Sequence, residues 1–147
     1  MSIIFHIDVN SAYLSWTTIE ELKNGGAVDL RTIPAIIGGD QKSRHGVVLA
    51  KSPLAKQCGI RTGEPVANAI RKCPGLVMRP PDHKLYRRYS NRLMEFLRTY
   101  TDYIEQVSVD ECYMDFTEIA PRFASPVDGA LEIKNEVCRK FGFTVNI

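Results

Sequence analysis

The chain has 147 residues, of which 44% are hydrophobic and 24% charged. This composition indicates a globular protein and not a disordered one, and the length suits one domain, or one domain with a sizeable insertion. No run approaches the ~20 apolar residues that span a bilayer, and the N-terminus lacks a signal-peptide pattern, so we expect no membrane association. The four cysteines are far apart in sequence and form no Cys-x-x-Cys pair. This spacing argues against a zinc site or a disulfide framework and favours a reducing, cytoplasmic location.

Charge is unevenly distributed along the chain, although the net charge is only +2. Residues 31–100 contain 14 Lys and Arg and only 4 Asp and Glu. The rest of the chain contains 5 Lys and Arg and 13 Asp and Glu. A basic middle flanked by acidic ends predicts that one part holds a polyanion and another binds metal. The alternative is that these charges belong to solvated helix faces.

The first predicted elements are a strand and a helix. Residues 3–8 are mostly apolar, which predicts a buried central strand. Asn10 or Ser11 is then expected to cap a helix that ends near Lys23, before the residues Asn-Gly-Gly at 24–26.

Residues 31–77 are basic and rich in short elements, which predicts an insertion. Strands are expected at 33–37 and 46–50, joined by a turn that contains Gly-Gly-Asp-Gln and a basic run up to residue 45. Ser52, followed by proline, predicts the N-cap of a short helix. A second short helix is expected after Pro65, ending near residue 73.

After two prolines at 80 and 81, the pattern changes to longer elements. Asp82 is expected to cap a long amphipathic helix that reaches about residue 100. Strands at 103–107 and 112–116 are joined by residues 108–111, and a last strand covers 143–147. Between them, Ser125 caps a helix whose buried side we expect to consist of Ala130, Leu131, Lys134, Val137, Cys138 and Phe141.

Without the insertion and the helix that leads into it, the order is strand, helix, strand, strand, helix, strand. This order predicts an α+β fold of the ferredoxin-like βαββαβ type. Right-handed crossovers place its first and third strands side by side and antiparallel. The end of the first strand, with Asp8, is therefore expected beside the start of the third, with Asp110 and Glu111.

Three carboxylates at one edge repel each other, and such a cluster persists if divalent cations neutralise it. Mg²⁺ binds a few carboxylate oxygens and completes its octahedron with water and substrate phosphate. Two such ions about 3.5–4 Å apart support in-line phosphoryl transfer, and the backbone carbonyl of Val9 could add a ligand. The alternative is that Asp8 caps the following helix, while Asp110 and Glu111 form a polar turn.

Two motifs match a known family. Residues 6–13 read His-Ile-Asp-Val-Asn-Ser-Ala-Tyr, and residues 108–115 read Ser-Val-Asp-Glu-Cys-Tyr-Met-Asp. Together with residues 59–65 and 100–105, they resemble the N-terminal palm and fingers of Y-family, lesion-bypass DNA polymerases of the DNA polymerase IV and UmuC-like (ImpB/MucB/SamB) group. The resemblance spans nearly the whole chain and implies a palm at 1–30 and 78–147, with fingers at 31–77.

The resemblance also implies roles for individual residues. Asp8, Asp110 and Glu111 would be catalytic and would bind two Mg²⁺ ions, for which Mn²⁺ could substitute, together with the Val9 carbonyl. Tyr13 would be a steric gate that excludes a ribose 2′-hydroxyl. Its alternative role is that of a core-facing helix aromatic.

The nucleotide-binding residues depart from the family pattern. Many members carry Asn-Tyr-x-x-Arg in the fingers, but here Pro53 replaces the tyrosine and Lys56 the arginine, which keeps the charge but loses the bidentate fork. We therefore expect the triphosphate to be bound by Lys56 and by Lys51, Ser52 or the backbone beside them. Two further departures lie in the first motif: Ala12 replaces a common aromatic beside the gate, and Asn10 replaces a second aspartate, which is then not an essential ligand.

The implied activity is template-directed transfer of a nucleotide from a dNTP to a primer 3′-hydroxyl, on primer-template DNA, in translesion synthesis and DNA repair. The family continues with another palm helix, a thumb and a little finger, and it contacts a sliding clamp through its far C-terminus. None of these falls within the 147 residues. We therefore expect an N-terminal fragment that does not usefully extend a primer alone.

Three other functions remain as alternatives. A nucleotidyl cyclase shares the palm-like sheet, and Gly-Gly-Asp at 38–40 resembles its turn, although it lies in the insertion. An RNA-recognition module has the same strand order and presents aromatics on its central strands, here Phe5, Tyr113 and Phe116. The acidic cluster beside them would repel a phosphate chain. A structural scaffold would explain neither the charge distribution nor the carboxylates.

Overall fold

The computed structural model describes residues 1–39 and 46–147. These residues form two compact units, the first made of residues 1–10 and 86–147 and the second of residues 11–85. The predicted turn at 38–45, with its Gly-Gly-Asp-Gln sequence and basic run, lies largely outside the described residues. Within those residues, no helix has the length and apolar character needed to cross a membrane.

The strands, in chain order, are β1 (Ile4–Val9), β2 (Ala35–Gly38), β3 (Val48–Lys51), β4 (Val77–Arg79), β5 (Ile104–Ser108), β6 (Glu111–Asp115) and β7 (Val145–Asn146). The α-helices are α1 (Ala12–Lys23), α2 (Pro53–Gln57), α3 (Val66–Lys72), α4 (His83–Leu97) and α5 (Pro126–Phe141). Single 3₁₀ turns cover Leu30–Thr32 and Ala120–Arg122.

The first unit contains a four-stranded sheet in the order β5-β6-β1-β7. All neighbouring strands in it are antiparallel, and β1 pairs with β6 from Ile4 opposite Asp115 to Asp8 opposite Glu111. With α4 after β1 and α5 after β6, this is the ferredoxin-like βαββαβ arrangement, and the predicted α+β fold is confirmed.

Alternation along the two central strands gives this sheet one buried and one open face. Phe5, Ile7 and Val9 are buried, as are Cys112 and Met114. The intervening residues of each strand therefore project from the open face, because successive side chains of a strand point to opposite sides. This face carries Ile4, His6 and Asp8 on β1 and Glu111, Tyr113 and Asp115 on β6.

The buried side of α5 differs from the prediction by one position. Gly129, Ile133 and Val137 are buried, whereas Leu131 is 50% exposed. A Cβ on Gly129 would lie 2.4 Å from Cζ of Phe116, so the helix approaches this ring where it carries no side chain. Val137 is buried as predicted, but the rest of the predicted side is wrong, because a glycine contributes nothing to a hydrophobic pattern.

The second unit contains a three-stranded sheet in the order β3-β2-β4. β2 pairs antiparallel with β3 and parallel with β4. The prediction missed β4, which has only three residues and pairs with a strand about 40 positions earlier. Packed around this sheet is an apolar cluster that includes Ile36, Val48, Ala55, Ile60 and Ala69.

Predicted caps are confirmed at three helices and corrected at one. The side chains of Ser52, Asp82 and Ser125 each accept a hydrogen bond from the first turn of their helix. Ser11 occupies the N-cap of α1 but makes no side-chain cap, because its backbone is left-handed with φ 44°. This conformation is costly for a residue with a Cβ.

Candidate metal and nucleotide site

The acidic edge, defined as Asp8, Asp110 and Glu111, lies where β1 ends and β6 begins. Asp8 is directly opposite Glu111, and the Val9 amide donates to the Asp110 carbonyl over 2.9 Å. This bond makes Asp8 and Glu111 a non-hydrogen-bonded pair, the kind whose side chains lie closer together, with Cβ atoms about 4.5–5.5 Å apart. The juxtaposition expected from element order is therefore present in the backbone.

The Val9 carbonyl points toward the same turn. In an extended residue the amide and carbonyl lie on the same side of the strand, and the Val9 amide already binds Asp110. On the opposite edge of β1, which faces β7, the backbone hydrogen bond comes from the next residue: the Asn10 amide donates to the Thr144 carbonyl over 2.9 Å. The Val9 carbonyl therefore lies on the side of β1 that faces the Asp110 turn, and its role as a metal ligand stays a prediction.

A bulge beside this turn sets the position of Asp110. The pairing of β5 with β6 shifts between Gln106 and Ser108, which leaves Val107 as an extra residue. The Gln106 amide donates to the Ser108 carbonyl over 3.1 Å and to the Ser90 hydroxyl of α4 over 3.0 Å. Helix α4 therefore anchors the strand that leads into the acidic turn.

Two of the carboxylates are held by neighbouring polar side chains. The Ser108 hydroxyl donates to Oδ1 of Asp110 over 2.9 Å, and Nε2 of His6 lies 3.6 Å from Oε1 of Glu111. Within residues 1–39 and 46–147, no three carboxylate, thiol or imidazole groups converge closely enough to bind a metal ion. The side chains at the edge are directed toward separate partners, as expected for like charges that repel each other.

The donor set nevertheless fits a hard divalent cation. Every side-chain donor at the edge is a carboxylate oxygen, and Mg²⁺ prefers oxygen ligands over nitrogen or sulfur. The Glu111 side chain is 35% exposed, so it can rotate away from His6 without disrupting the core. Cys112 follows Glu111 but lies on the buried face, and burial raises the pKa of its thiol to about 11, so it does not act as a thiolate ligand.

Sequence reasoning missed His6 and Ser108 as members of the site. A signal for both was available: each lies two positions before a site carboxylate, His6 before Asp8 on β1 and Ser108 before Asp110. On β1, residues two apart share one face, which puts His6 on the side of Asp8. Ser108 ends β5 and Asp110 lies in the turn that follows, so their contact is formed within the turn. Asn10, by contrast, binds strand β7, because its side chain donates to Thr144 and accepts from Asn146.

The predicted gate residues lie at the start of α1, in the second unit. Ala12 is buried, and Tyr13 is half-buried beside an apolar cluster that includes Leu14. The Tyr13 ring contacts the His83 ring edge to face, with centroids 6.2 Å apart. Tyr13 thus packs partly against the core, as its alternative role predicted, while part of its ring remains exposed.

The three predicted phosphate-binding residues have different environments. Lys51 donates to the Thr62 hydroxyl over 3.0 Å. The Ser52 hydroxyl is fully buried, donates to the Ile33 carbonyl over 2.6 Å and accepts from the amides of Ala35 and Ala55. Lys56 is exposed, and among the described residues its ammonium has no hydrogen-bond partner. The Ser52 hydroxyl therefore organises the second unit, and the two lysines remain available to an anion.

The alternative functions gain little from the geometry. Two of the three aromatics expected for RNA recognition, Phe5 and Phe116, are buried and stack on each other at 4.3 Å. Only Tyr113 lies on the open face, 5.0 Å from the His6 ring. The third residue of the cyclase-like Gly-Gly-Asp, at position 40, lies outside the described residues.

Comparison with known proteins identifies the family. A family model described as impB/mucB/samB matches residues 7–147. DNA polymerase IV of Clostridium acetobutylicum is 50% identical over 145 residues, which cover 99% of this chain and 36% of that protein. DNA polymerase IV 1 of Bacillus subtilis is 40% identical over 135 residues, which cover 92% of this chain and 31% of that protein. The chain therefore spans about a third of the length of these curated relatives.

Solved structures agree with this assignment. DinB from Sulfolobus solfataricus matches with a TM-score of 0.81 and 27% identity over 99% of this chain and 40% of that one. The structure described as the insertion ternary complex of Dbh DNA polymerase matches with a TM-score of 0.79 and 26% identity, over 99% of this chain and 41% of that one. The palm-and-fingers resemblance is thus confirmed at the level of the fold, and the chain belongs to the impB/mucB/samB family.

Proposed function

We propose that the chain supplies the metal-binding and nucleotide-binding residues of a template-directed DNA polymerase. The reaction transfers a nucleotide from a dNTP to a primer 3′-hydroxyl, in translesion synthesis and DNA repair. The observation that carries the proposal is Asp8 opposite Glu111, with Asp110 hydrogen-bonded to Val9. The names of the relatives, DNA polymerase IV, support it. Because the chain covers about a third of their length, the complete polypeptide is the unit of activity.

The acidic edge would hold two Mg²⁺ ions, or Mn²⁺ in their place, through Asp8, Asp110, Glu111 and the Val9 carbonyl. When bound there, the ions would supply Lewis-acid chemistry, lowering the pKa of the attacking hydroxyl and neutralising charge on the leaving pyrophosphate. Ser108 has a positioning role, because its 2.9 Å hydrogen bond restrains the Asp110 carboxylate before a cation binds. Glu111 would leave its 3.6 Å contact with His6 to join the ion.

The nucleotide would be recognised by residues of the second unit. Lys56 and Lys51 bind the triphosphate through their ammonium groups, as point charges instead of a bidentate fork. Ser52 contributes through its backbone and through the cap that orients α2, since its hydroxyl is already used three times. Tyr13 is the steric gate against a ribose, and the small side chain of Ala12 leaves the adjoining floor open.

The remaining assignments complete the proposal. Residues 1–30 and 78–147 form the palm and residues 31–77 the fingers, and the substrates are primer-template DNA and a dNTP. A sliding clamp would be contacted through regions outside this chain. A cytoplasmic location is part of the same proposal and fits a DNA substrate.

The test compares two substitutions on one strand of the complete polypeptide. Glu111→Gln and Asp115→Asn each remove one carboxylate charge from the same face of β6. We expect Glu111→Gln to reduce Mg²⁺-dependent incorporation on the order of a hundredfold or more, because a ligand is lost at the reacting centre. Asp115→Asn should retain incorporation, because it lies at the far end of the strand. Equal activity of the two variants would reject the metal site.

The gate assignment has its own test. Tyr13→Ala should admit ribonucleotides, whereas Tyr13→Phe, which keeps the ring, should keep the preference for deoxyribonucleotides. Both variants lose the hydroxyl, so the comparison isolates the bulk of the ring. If the alanine variant discriminates against ribonucleotides as well as the parent does, Tyr13 is a packing residue only.

A further inference from the structure

Two cysteines of the second unit are neighbours, although they are separated in sequence. The Sγ atoms of Cys58 and Cys73 lie 3.2 Å apart, and the Cys58 thiol donates a hydrogen bond to the Cys73 sulfur. Both are free thiols. We propose that this pair is a modification site at which hydrogen peroxide forms an intramolecular disulfide. The inference goes beyond the proposed function and does not depend on it.

The backbone around the pair already holds the two sulfurs together. Cys58 is the C-cap residue of α2 and Cys73 that of α3. The Lys72 ammonium donates to the Gly59 carbonyl over 3.0 Å and to Oε2 of Glu64 over 2.8 Å. A disulfide requires an S–S distance of about 2.05 Å, so the sulfurs need to approach by only about 1.2 Å. That distance is within the range of small side-chain rotations.

The two thiols differ in their access to solvent, which assigns their roles. Cys58 is exposed, whereas Cys73 is 5% exposed and packs in the cluster with Ala55, Ile60 and Ala69. The hydrogen bond that the two thiols share and the burial of Cys73 both raise the pKa of Cys73, so Cys73 keeps its proton. Peroxide therefore reacts first with Cys58, and Cys73 acts as the resolving thiol.

The chemistry balances with peroxide as the only oxidant. The Cys58 thiolate attacks one peroxide oxygen, the O–O bond breaks, and Cys58 sulfenic acid and hydroxide are formed. The Cys73 sulfur then attacks the sulfenic sulfur and displaces its oxygen, which leaves as water with the Cys73 proton. The hydroxide recovers the proton that Cys58 lost. Two thiols and one peroxide thus give one disulfide and two waters.

The bond would tie the end of α2, which carries Lys56, to the end of α3. Closing a loop of about 15 residues constrains the unfolded chain, which predicts an unfolding equilibrium constant roughly a hundredfold smaller for the second unit. Reduction by a dithiol should reverse the change, because the same two thiols are restored.

The test uses the full chain with Cys138→Ser, which removes the other exposed thiol. After treatment with hydrogen peroxide, unfolding and alkylation, peptide mapping without reductant should show Cys58 joined to Cys73 and Cys112 alkylated. Cys58 as sulfinic or sulfonic acid beside an alkylated Cys73 would overturn the proposal. A disulfide between two chains through Cys58 would do the same.

The matched variant Cys58→Ser keeps the size and polarity of the exposed residue. In it, peroxide should leave Cys73 open to alkylation and should not change the urea midpoint of unfolding. With Cys58 present, peroxide should raise that midpoint and dithiothreitol should return it to its starting value. If peroxide raises the midpoint equally in the serine variant, the stabilisation has another cause and the pair is only a packing contact.

Discussion

Gly129 allows helix α5 to lie directly against the sheet, and its replacement by alanine tests that packing. The added Cβ would lie 2.4 Å from Cζ and 2.7 Å from Cε1 of Phe116. Carbon atoms in contact lie about 3.5–4.0 Å apart, so helix and ring must separate by roughly 1 Å. Phe116 is fully buried and stacks on Phe5 at 4.3 Å, with Phe123 at 5.3 Å, so it cannot easily move away.

Two opposing terms set the size of the effect. Overpacking a core typically costs about 1–3 kcal/mol, whereas alanine in place of glycine favours a helix by about 1 kcal/mol. We therefore expect Gly129→Ala to lower the free energy of unfolding by about 1–2 kcal/mol. The assay is urea unfolding at constant pH, in which the midpoint should fall while the slope with urea stays unchanged.

A control on the same helix separates packing from propensity. Asn135 is exposed on α5, so Asn135→Ala gains propensity without a clash and should raise stability by about 0.5 kcal/mol. Combining Gly129→Ala with Phe116→Leu should cost less than the sum of the two single substitutions, because the smaller side chain leaves room for the new methyl group. If Gly129→Ala is as stable as the parent, or more stable, the close approach of α5 to Phe116 is refuted.

Two further predictions concern the second unit. Ser52→Ala removes the cap of α2 and leaves the buried Ala35 amide and Ile33 carbonyl without their hydrogen-bond partner. It should therefore lower the free energy of unfolding by about 2–3 kcal/mol. A loss below about 0.5 kcal/mol, measured by urea unfolding, would contradict this prediction. Lys56→Ala should leave stability within about 0.5 kcal/mol, because the side chain is exposed, yet raise the KM for dNTP in the complete polypeptide. An unchanged KM would remove Lys56 from the nucleotide site.

The sequence was sufficient to place the acidic edge because topology determines it. Element order and right-handed crossovers leave few arrangements, and all of them bring the end of β1 beside the start of β6. Asp8 opposite Glu111 follows from that pairing without any knowledge of side-chain contacts. The sheet of the first unit was predictable for the same reason, since its long-range strand pairing followed from connection rules.

The partners of the carboxylates could not be predicted in this way. Whether Glu111 turns toward His6, or Asp110 toward Ser108, depends on rotamers and on the bulge at Val107, and neither leaves a mark in a hydrophobic pattern. The sequence does place His6 two positions before Asp8 and Ser108 two positions before Asp110. Many polar residues have the same spacing from a carboxylate without contacting one, so this spacing alone predicts no contact.

Other differences arise where backbone conformation or tertiary packing overrides local preference. Ser11 has a side chain suited to capping, but its left-handed backbone prevents the cap. Strand β4 is too short to show a period and exists because β2 offers it a parallel partner. The contact between Cys58 and Cys73 depends on two helix ends meeting, which sequence separation alone argued against.

The most direct test of the central claim measures divalent-cation binding to the acidic edge, without catalysis. Mn²⁺ titration of the chain, followed by electron paramagnetic resonance, should show weaker binding by about tenfold or more in Asp8→Asn and in Glu111→Gln, because each loses a ligand. Asp115→Asn, which removes the same charge from the far end of β6, should bind as the parent does. Equal affinity in all four proteins would contradict the assignment of these carboxylates as the metal site.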